Sequence, residues 1–231
     1  MSSPFRIGFL LFPNITQLDL TGPYEVLSKL PNATVHLIWK TLEPVKAVGG
    51  LAILPDTTLA DCPQLDLICV PGGPGMTPLM NDEDILAFLR KQAAGARYLT
   101  SVCTGSLVLG AAGLLQGKKA ATHWMAMDIL PSLGAIPVEA RVVVDGNVIT
   151  GGGVTAGIDF GLQVAAAVAG EDVAKMIQLQ LEYDPEPPFK SGHPRSADPA
   201  LVEKMKKLGE VMTNERRKNA ALASSKLAAK T

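Results

Sequence analysis

The chain has 231 residues, of which 47% are hydrophobic, and a formal net charge of −1 at pH 7. This length fits one large domain or two small ones, and the hydrophobic content is ample for a buried core. The near-zero charge gives no overall attraction to nucleic acid or to an anionic membrane, and no apolar stretch approaches the ~20 residues that span a bilayer. Three cysteines at spread positions do not form a disulfide framework, and the first residues lack a signal-peptide pattern, so a cytoplasmic location is expected.

The first half of the chain alternates predicted strands with predicted helices. Four segments are predicted as strands because they are apolar and rich in β-formers: 5–12, 34–40, 66–70 and 98–102. Helices are predicted over about 22–30, from a proline near the start, and over about 82–94, from acidic residues in the first turn. The run 45–54 predicts a hairpin that turns at Gly49-Gly50.

The second half continues the same alternation. Segments 141–144 and 148–150 flank a turn sequence and predict a second hairpin. A glycine-rich stretch leads from there into a helix that ends near Ala169, and a further helix covers about 172–182. Strands that alternate with helices predict an α/β fold with a mostly parallel sheet covered on both faces.

The end of the chain is expected to be an extension of one compact domain. We expect a single domain over 1–190, followed over 191–231 by a loop and a helix that packs on the domain or on a dimer partner. From Leu201 onwards there are eight Lys or Arg and three Glu. A basic helix can bind nucleic acid, but no aromatic residues interleave here as single-strand stacking would need, so a solvated, packed helix is favoured.

Cys103 is the strongest candidate for a chemical role. It ends the predicted strand 98–102, and the small residues Thr104-Gly105-Ser106 lead into the helix-like run 107–112. A strand that breaks sharply into a helix projects the residue at the break out of the sheet. The positive end of a helix also favours a thiolate over a thiol. The pattern therefore predicts a nucleophilic cysteine.

The other cysteines and the histidines are weaker candidates. Cys69 lies in a continuous apolar run and is interpreted as a buried hydrophobe, whereas Cys62 lies in a predicted loop. His36 is in a predicted strand and His193 is in a proline-rich loop. His123 is near a plausible active edge, so a Cys-His dyad depends on it alone. The spacing of these residues does not suggest a zinc site.

Several segments that follow predicted strands carry unusual residues. They are 13–19, 72–75, 103–104 and 151–153. Working groups in open α/β sheets collect at the carboxyl ends of strands, so these segments are expected to converge on one edge. Asp19 lies between two leucines, and apolar neighbours tend to raise the pKa of a carboxyl, which makes it a candidate acid/base. A helix cap is the alternative, although Thr21 can fill that position.

The glycine pairs at this edge have two possible roles. Gly72 and Gly73 can present backbone N–H groups to a ligand as an anion-stabilising hole, or they can form only a tight turn. The stretch 151–157 resembles a phosphate-binding loop in composition, but no lysine follows it. We therefore interpret that stretch as close packing near the site.

Together these residues resemble the PfpI/ThiJ superfamily, the DJ-one-like proteins. The resemblance rests on the turn Pro71-Gly72-Gly73, the elbow 101–105 and the early acidic residue. Within the superfamily the chain resembles the isocyanide (isonitrile) hydratase group, and the resemblance extends over about 5–189. The segments that carry it include 8–13, 17–23, 103–115, 122–124 and 151–160.

The resemblance implies a fold, an activity and a site. The fold would be a flavodoxin-like sandwich, also found in class I glutamine amidotransferases, in a homodimer without a metal or organic cofactor. The activity would be the addition of water to an isocyanide, through a thioimidate on Cys103, to give an N-substituted formamide. Asp19 would be the acid/base and Thr104 a polar neighbour of both. The residues implied to line the substrate site are Gly72, Gly73, Gly152 and Val154. The partners would be a small isocyanide and a second copy, with no nucleic acid and no membrane.

Departures from related patterns narrow the choice of activity. Thr104 occupies the position where the protease-like branch has histidine, which argues against peptidase chemistry. The sequences Ser106-Leu107 and His123-Trp124-Met125 break the glutamine amidotransferase pattern. Regulators with this fold carry a further DNA-binding domain, for which the predicted extension is too short. A glyoxalase-type activity on a small dicarbonyl, and a redox-sensing stress protein in which Cys103 is oxidised, stay open as alternatives.

Overall fold

The structure is a computed structural model that describes residues 3–229. Its strands are β1 (Phe5–Leu10), β2 (Ala33–Trp39), β3 (Val45–Lys46), β4 (Ala52–Ile53), β5 (Thr57–Thr58), β6 (Leu67–Val70), β7 (Tyr98–Val102), β8 (Lys119–Ala120), β9 (Ile136–Pro137), β10 (Val142–Asp145) and β11 (Val148–Gly151). Its α-helices are α1 (Gln17–Leu27), α2 (Glu83–Ala93), α3 (Gly105–Ala111), α4 (Ala156–Ala169), α5 (Glu171–Gln180) and α6 (Pro199–Ala228). Short 3₁₀ helices lie at Pro74–Met76, Pro78–Asn81 and Trp124–Leu133.

The main sheet of the described chain has seven strands in the order β10-β11-β7-β6-β1-β2-β5. Neighbouring strands are parallel except at one edge, where β10 is antiparallel to β11. The chain moves one way along the sheet from β1 to β2 and the opposite way from β6 to β7. Right-handed crossovers therefore place α1 and α2 on opposite faces. The predicted α/β sandwich with a mostly parallel sheet is confirmed.

The centre of the sheet explains why its strands read as unbroken apolar runs. Every residue of β6 is buried, and β1 is buried from Ile7 onwards. A parallel strand covered by helices on both faces has no solvent side, so alternation with polar residues is lost. The short hairpins β3/β4 and β10/β11 are also present where turn sequences predicted them.

The first helix begins earlier than the sequence pattern predicts. Pro23 was interpreted as marking a helix start at Gly22, but α1 begins at Gln17, with Thr16 as its N-cap, so Pro23 lies inside the helix. The proline removes the N–H that would bond to the carbonyl of Asp19, and a proline ring inside a helix also crowds that carbonyl. The shift matters because it places Asp19 in the first helical turn rather than before it.

The predicted C-terminal helix is present as α6 and packs on the body of the protein. It contacts α3 and the 3₁₀ helices Trp124–Leu133 and Pro78–Asn81. An ion pair joins Arg217 to Asp128 at 2.9 Å. One face of α6 is exposed to solvent and another is buried against the body of the protein, as expected for a solvated, packed helix. The domain boundary near residue 190 stays a prediction. No helix within residues 3–229 is both long and apolar enough to cross a membrane.

Candidate active site

Cys103 lies at a sharp break between β7 and α3, as its sequence context predicted. Its φ of 55° is in the left-handed region, a conformation that costs a residue with a side chain roughly 1–3 kcal/mol. Its N–H donates to the carbonyl oxygens of Gly151 at 3.0 Å and Gly152 at 2.9 Å. Its own carbonyl accepts from the hydroxyls of Thr122 at 2.9 Å and Ser106 at 3.2 Å. These bonds from three segments hold the strained backbone, and with it the position of the thiol.

Asp19 is fully buried beside this cysteine. Its Oδ2 accepts the N–H of Gly72 at 3.0 Å, and its Oδ1 has no hydrogen-bond partner in the described chain. The carboxyl therefore does not cap α1, and the cap alternative is wrong. Burial raises its pKa from 3.8 to about 7, although the neighbouring Cys103 thiol and the Gly72 N–H both act to lower it. A carboxyl with this pKa can both take up and release a proton near neutrality.

Gly72 and Gly73 link Asp19 to Thr104. The N–H of Gly73 donates to Oγ1 of Thr104 at 3.2 Å, while that of Gly72 is held by Asp19. A methyl group on Gly72 would lie 2.6 Å from the Thr104 nitrogen and 2.8 Å from the carboxyl of Asp19, so only glycine fits. Both N–H groups are occupied within the protein. They organise the two polar side chains and are not free donors, which favours the tight-turn alternative over an anion hole.

The thiol of Cys103 is harder to ionise than the sequence pattern suggested. Burial raises its pKa well above the ordinary value, and the charge of Asp19 raises it further. The N–H of Thr104 and the positive charge of Arg216 act in the opposite direction. The expected effect of the helix end is outweighed, because α3 has only seven residues and the sulfur is in a nearly dry environment. The sulfur therefore carries its proton in the resting site.

A cavity of about 520 Å³ lies next to this centre. Part of its wall is formed by Thr122, His123, Gly152, Gly153 and Val154. Since the carbonyl of Gly152 accepts the N–H of Cys103, this wall adjoins the nucleophile. Charged or titratable side chains that also line the cavity are Glu139, Arg141, His193 and Arg195. The predicted substrate-lining residues Gly152 and Val154 therefore face a space that can hold a small molecule.

His123 is positioned at the cavity but does not form a charged dyad. Its Nδ1 accepts the N–H of Met125 at 3.3 Å. Burial lowers its pKa to about 4, and the charge of Arg216 lowers it further. The ring is therefore neutral near pH 7, with its proton on Nε2, the nitrogen on the side of Gly153.

Arg216 is the residue of this region that the sequence analysis missed. It belongs to α6, which was expected to be a solvated helix packed on the domain or on a partner, and only 7% of its surface is exposed. The sequence spacing indicates its position. A stripe on one side of a helix is formed by residues at alternating intervals of four and three: Gly209, Thr213, Arg216, Ala220 and Ala223. A charged residue inside a stripe of small residues is the signal that could have identified it.

The remaining cysteines behave as predicted. Cys69 is fully buried in β6 and Cys62 is half-buried, and burial raises their pKa values to about 12 and about 11. Across residues 3–229, no group of three or more His, Cys, Asp or Glu side chains is placed to hold a metal ion. The structure brings Cys103, Asp19 and Thr104 together at the predicted edge of the sheet, while their roles in chemistry stay predictions.

A parallel α/β sandwich with a cysteine at a strand–helix break and a buried acid beside it defines a class of proteins. The chain belongs to the DJ-1/PfpI family, whose model matches residues 5–167. It is 63% identical to the isonitrile hydratase of Pseudomonas putida over 87% of this chain and 89% of that protein. A ThiJ/PfpI family protein from Pseudomonas syringae has a crystal structure that superposes with a TM-score of 0.92, at 43% identity over 94% of this chain and 90% of that one. The resemblance to the superfamily and to its isonitrile hydratases is confirmed.

A regulator is also among the relatives. The HTH-type transcriptional regulator GbdR of Pseudomonas aeruginosa is 31% identical over 79% of this chain, which corresponds to 52% of the regulator. The similarity is therefore to about half of that longer protein. The same α/β architecture occurs in proteins of different function, so activity has to be argued from the site.

Proposed function

We propose that this protein is an isonitrile hydratase, which adds water to an isocyanide R–NC and releases an N-substituted formamide. The observation that carries the proposal is the Cys103–Asp19 pair, beside a cavity, in a chain closely similar to a curated isonitrile hydratase over most of both lengths. A soft sulfur nucleophile suits the terminal carbon of an isocyanide, and a carboxyl that titrates near neutrality suits the proton transfers.

In the first step the Cys103 sulfur adds to the terminal carbon of the isocyanide. The thiol proton passes through Asp19 to the same carbon, so the product is a thioimidate, R–N=CH–S–Cys103. The bonds formed are C–S and C–H, the bond broken is S–H, and no charge is gained or lost overall. The buried, unpartnered Oδ1 of Asp19 supports this role, because it is an open acceptor in the interior next to the thiol.

In the second step a water molecule attacks the thioimidate carbon. Asp19, a carboxylate again after the first step, takes a proton from the water as its oxygen bonds to carbon. Asp19 then passes that proton to the imine nitrogen, giving R–NH–CH(OH)–S–Cys103. Collapse of this adduct breaks the C–S bond, releases R–NH–CHO and returns the proton to the sulfur. Thr104 supports the geometry, because the N–H of Gly73 holds its hydroxyl, and this hydroxyl and the Asp19 carboxyl both lie against Gly72.

The test compares purified wild-type protein with Cys103→Ala and Asp19→Asn, using a simple alkyl isocyanide and following formamide. Wild type is expected to make formamide, and Cys103→Ala none above the uncatalysed rate. Cys62→Ala is the matched control, since it removes another free thiol away from the site. A mass increase equal to the isocyanide on the peptide that contains Cys103 would identify the thioimidate.

The opposite result has a defined meaning. Formamide produced by Cys103→Ala would rule out the covalent route. Wild-type protein that makes no formamide, with its thiol confirmed as reduced, would overturn the proposal. Turnover of a small dicarbonyl would then favour a glyoxalase-type activity, and stoichiometric oxidation of Cys103 by peroxide a redox role.

We further propose that the enzyme is a homodimer in the cytoplasm. On α6 the side chains of Leu201, Met205, Leu208 and Met212 share one side, at intervals of four, three and four residues, and each is more than a third exposed. An apolar stripe of this kind is a suitable surface for a second copy. The three free cysteines fit a reducing compartment.

A further inference from the structure

The C-terminal helix places one charged side chain in the interior. Ala220 and Ala223 on α6 are buried to within 2%, and Thr213 and Arg216 on the same side are 6% and 7% exposed. This side of the helix packs on α3 and on the 3₁₀ helix Trp124–Leu133. Small residues let the helix approach these elements closely, and Arg216 lies in the middle of the contact.

The guanidinium of Arg216 has no anionic partner. Its Nε makes no hydrogen bond, nor does Oγ1 of Thr213 one turn away, and no carboxylate in residues 3–229 is within ion-pair distance. An unpaired cation that is only 7% exposed has lost most of its hydration, whereas Leu or Met would fill the same space without that penalty. Packing alone therefore does not account for an arginine at this position.

The positive charge of Arg216 acts on two groups of the site, the Cys103 thiol and the His123 ring. Cys103 immediately precedes Thr104, the N-cap of α3, and His123 is the N-cap of the 3₁₀ helix Trp124–Leu133. The helix α6 packs on both of these helices. The positive charge lowers the pKa of Cys103 and that of His123. Its effect on the sulfur opposes the larger effects of burial and of Asp19.

We propose that Arg216 is a positioning residue of the active site, whose guanidinium stabilises the negative charge on the Cys103 sulfur while the thiol proton is held by Asp19. The proton moves from sulfur to carboxylate, the charge moves from carboxylate to sulfur, and the buried cation then faces an anion. The C-terminal helix is thereby a part of the reaction centre. This inference rests on Cys103 as the nucleophile of the proposed function.

The test measures alkylation of Cys103 by neutral iodoacetamide and by anionic iodoacetate, quantified by peptide mass across the neutral and alkaline pH range. The variants are Arg216→Met, Arg216→Lys and, as the matched control on the same helix, Arg217→Met, which removes a surface charge paired with Asp128. Arg216→Met is expected to react roughly tenfold more slowly with iodoacetamide at neutral pH, which corresponds to a pKa about one unit higher. The ratio of iodoacetate to iodoacetamide rates should also fall, whereas Arg216→Lys and Arg217→Met should resemble wild type.

The ratio of the two reagents separates charge from packing, because a change in access or in thiolate fraction affects both rates equally. Alkylation of Cys62 and the circular dichroism spectrum report whether each variant is folded. If Arg216→Met does not fold, Arg216→Gln, which also removes the charge, takes its place. A charge-free variant with the pH profile and reagent ratio of wild type would overturn the proposal. Since no isocyanide is used, this outcome is independent of whether the protein makes formamide.

Discussion

The carboxyl of Asp19 and the thiol of Cys103 are each harder to ionise inside the fold than in water. Their proximity couples the two titrations, which are therefore properties of the pair. The sequence already identified the two residues, since a cysteine at a strand–helix break and an acid between leucines are local patterns. The direction in which the pKa of Cys103 shifts could not be predicted from the sequence, because burial by distant segments decides it.

The raised pKa of Asp19 predicts that Asp19→Asn changes the stability of the protein by an amount that depends on pH. The folded pKa of Asp19 is raised from 3.8 to about 7, so the folded state binds a proton more strongly than the unfolded chain and wild type loses stability as the pH rises between these values. The free energy of unfolding of Asp19→Asn relative to wild type should therefore increase by about 2 to 3 kcal/mol from pH 5 to pH 8.

Urea unfolding at both pH values measures this difference. Asp184→Asn, which changes an exposed carboxyl, is the control and should show a much smaller increase. A difference between Asp19→Asn and wild type that is the same at both pH values would contradict the raised pKa.

The elements of the sheet were largely predictable, and the helices less so. Unbroken apolar runs identified β1, β6 and β7, because strands covered on both faces carry no polar alternation. The start of α1 was misplaced, because a proline inside a helix resembles a proline that begins one. The packing of α6 was expected, but the face that is buried was not identified from the sequence. Its residues are small or charged, so they lack the hydrophobic periodicity that usually marks a packed helix.

The packing of α6 gives a prediction at the scale of the element. Ala220 is fully buried, so Ala220→Leu should overpack the contact with the body and lower the free energy of unfolding by about 1–3 kcal/mol. It should also lower the rate of Cys103 alkylation, since the helix carries Arg216. Chemical denaturation and the alkylation assay measure the two effects.

The neighbouring position supplies the control. Ala221 is exposed on the same helical turn, so Ala221→Leu adds the same atoms outside the contact and should change neither quantity appreciably. Equal effects of the two substitutions would show that α6 is not held against the body as described.

For the whole molecule, topology assembles the site. Asp19, Gly72, Cys103 and Gly152 come from four distant segments, and each follows the carboxyl end of a neighbouring strand of the sheet. The rule that such ends meet at one edge was sufficient to predict this convergence. The rule does not specify which N–H groups are left free. Only the three-dimensional contacts show that the N–H groups of Gly72 and Gly73 are already hydrogen-bonded within the protein.

The proposed homodimer is testable at this scale. Leu208 is 71% exposed in the middle of the apolar stripe on α6, so Leu208→Glu should weaken association by placing a charge in the interface. Sedimentation of wild type should give a dimer, and the variant should shift towards monomer as it is diluted. Val211→Glu, at an even more exposed apolar position off that stripe, is the comparison. Dissociation of both variants to the same extent would argue against the stripe as the contact.

The burial of Cys103 also affects how the protein withstands oxidants. Peroxide reacts with the thiolate of an accessible cysteine, and here the sulfur is protonated at rest in a residue that is only 5% exposed. We therefore expect slow sulfenic acid formation in the free enzyme. A nucleophile that ionises only as it attacks its substrate would survive long exposure to air and peroxide, and activity would outlast that of enzymes with a permanently ionised cysteine.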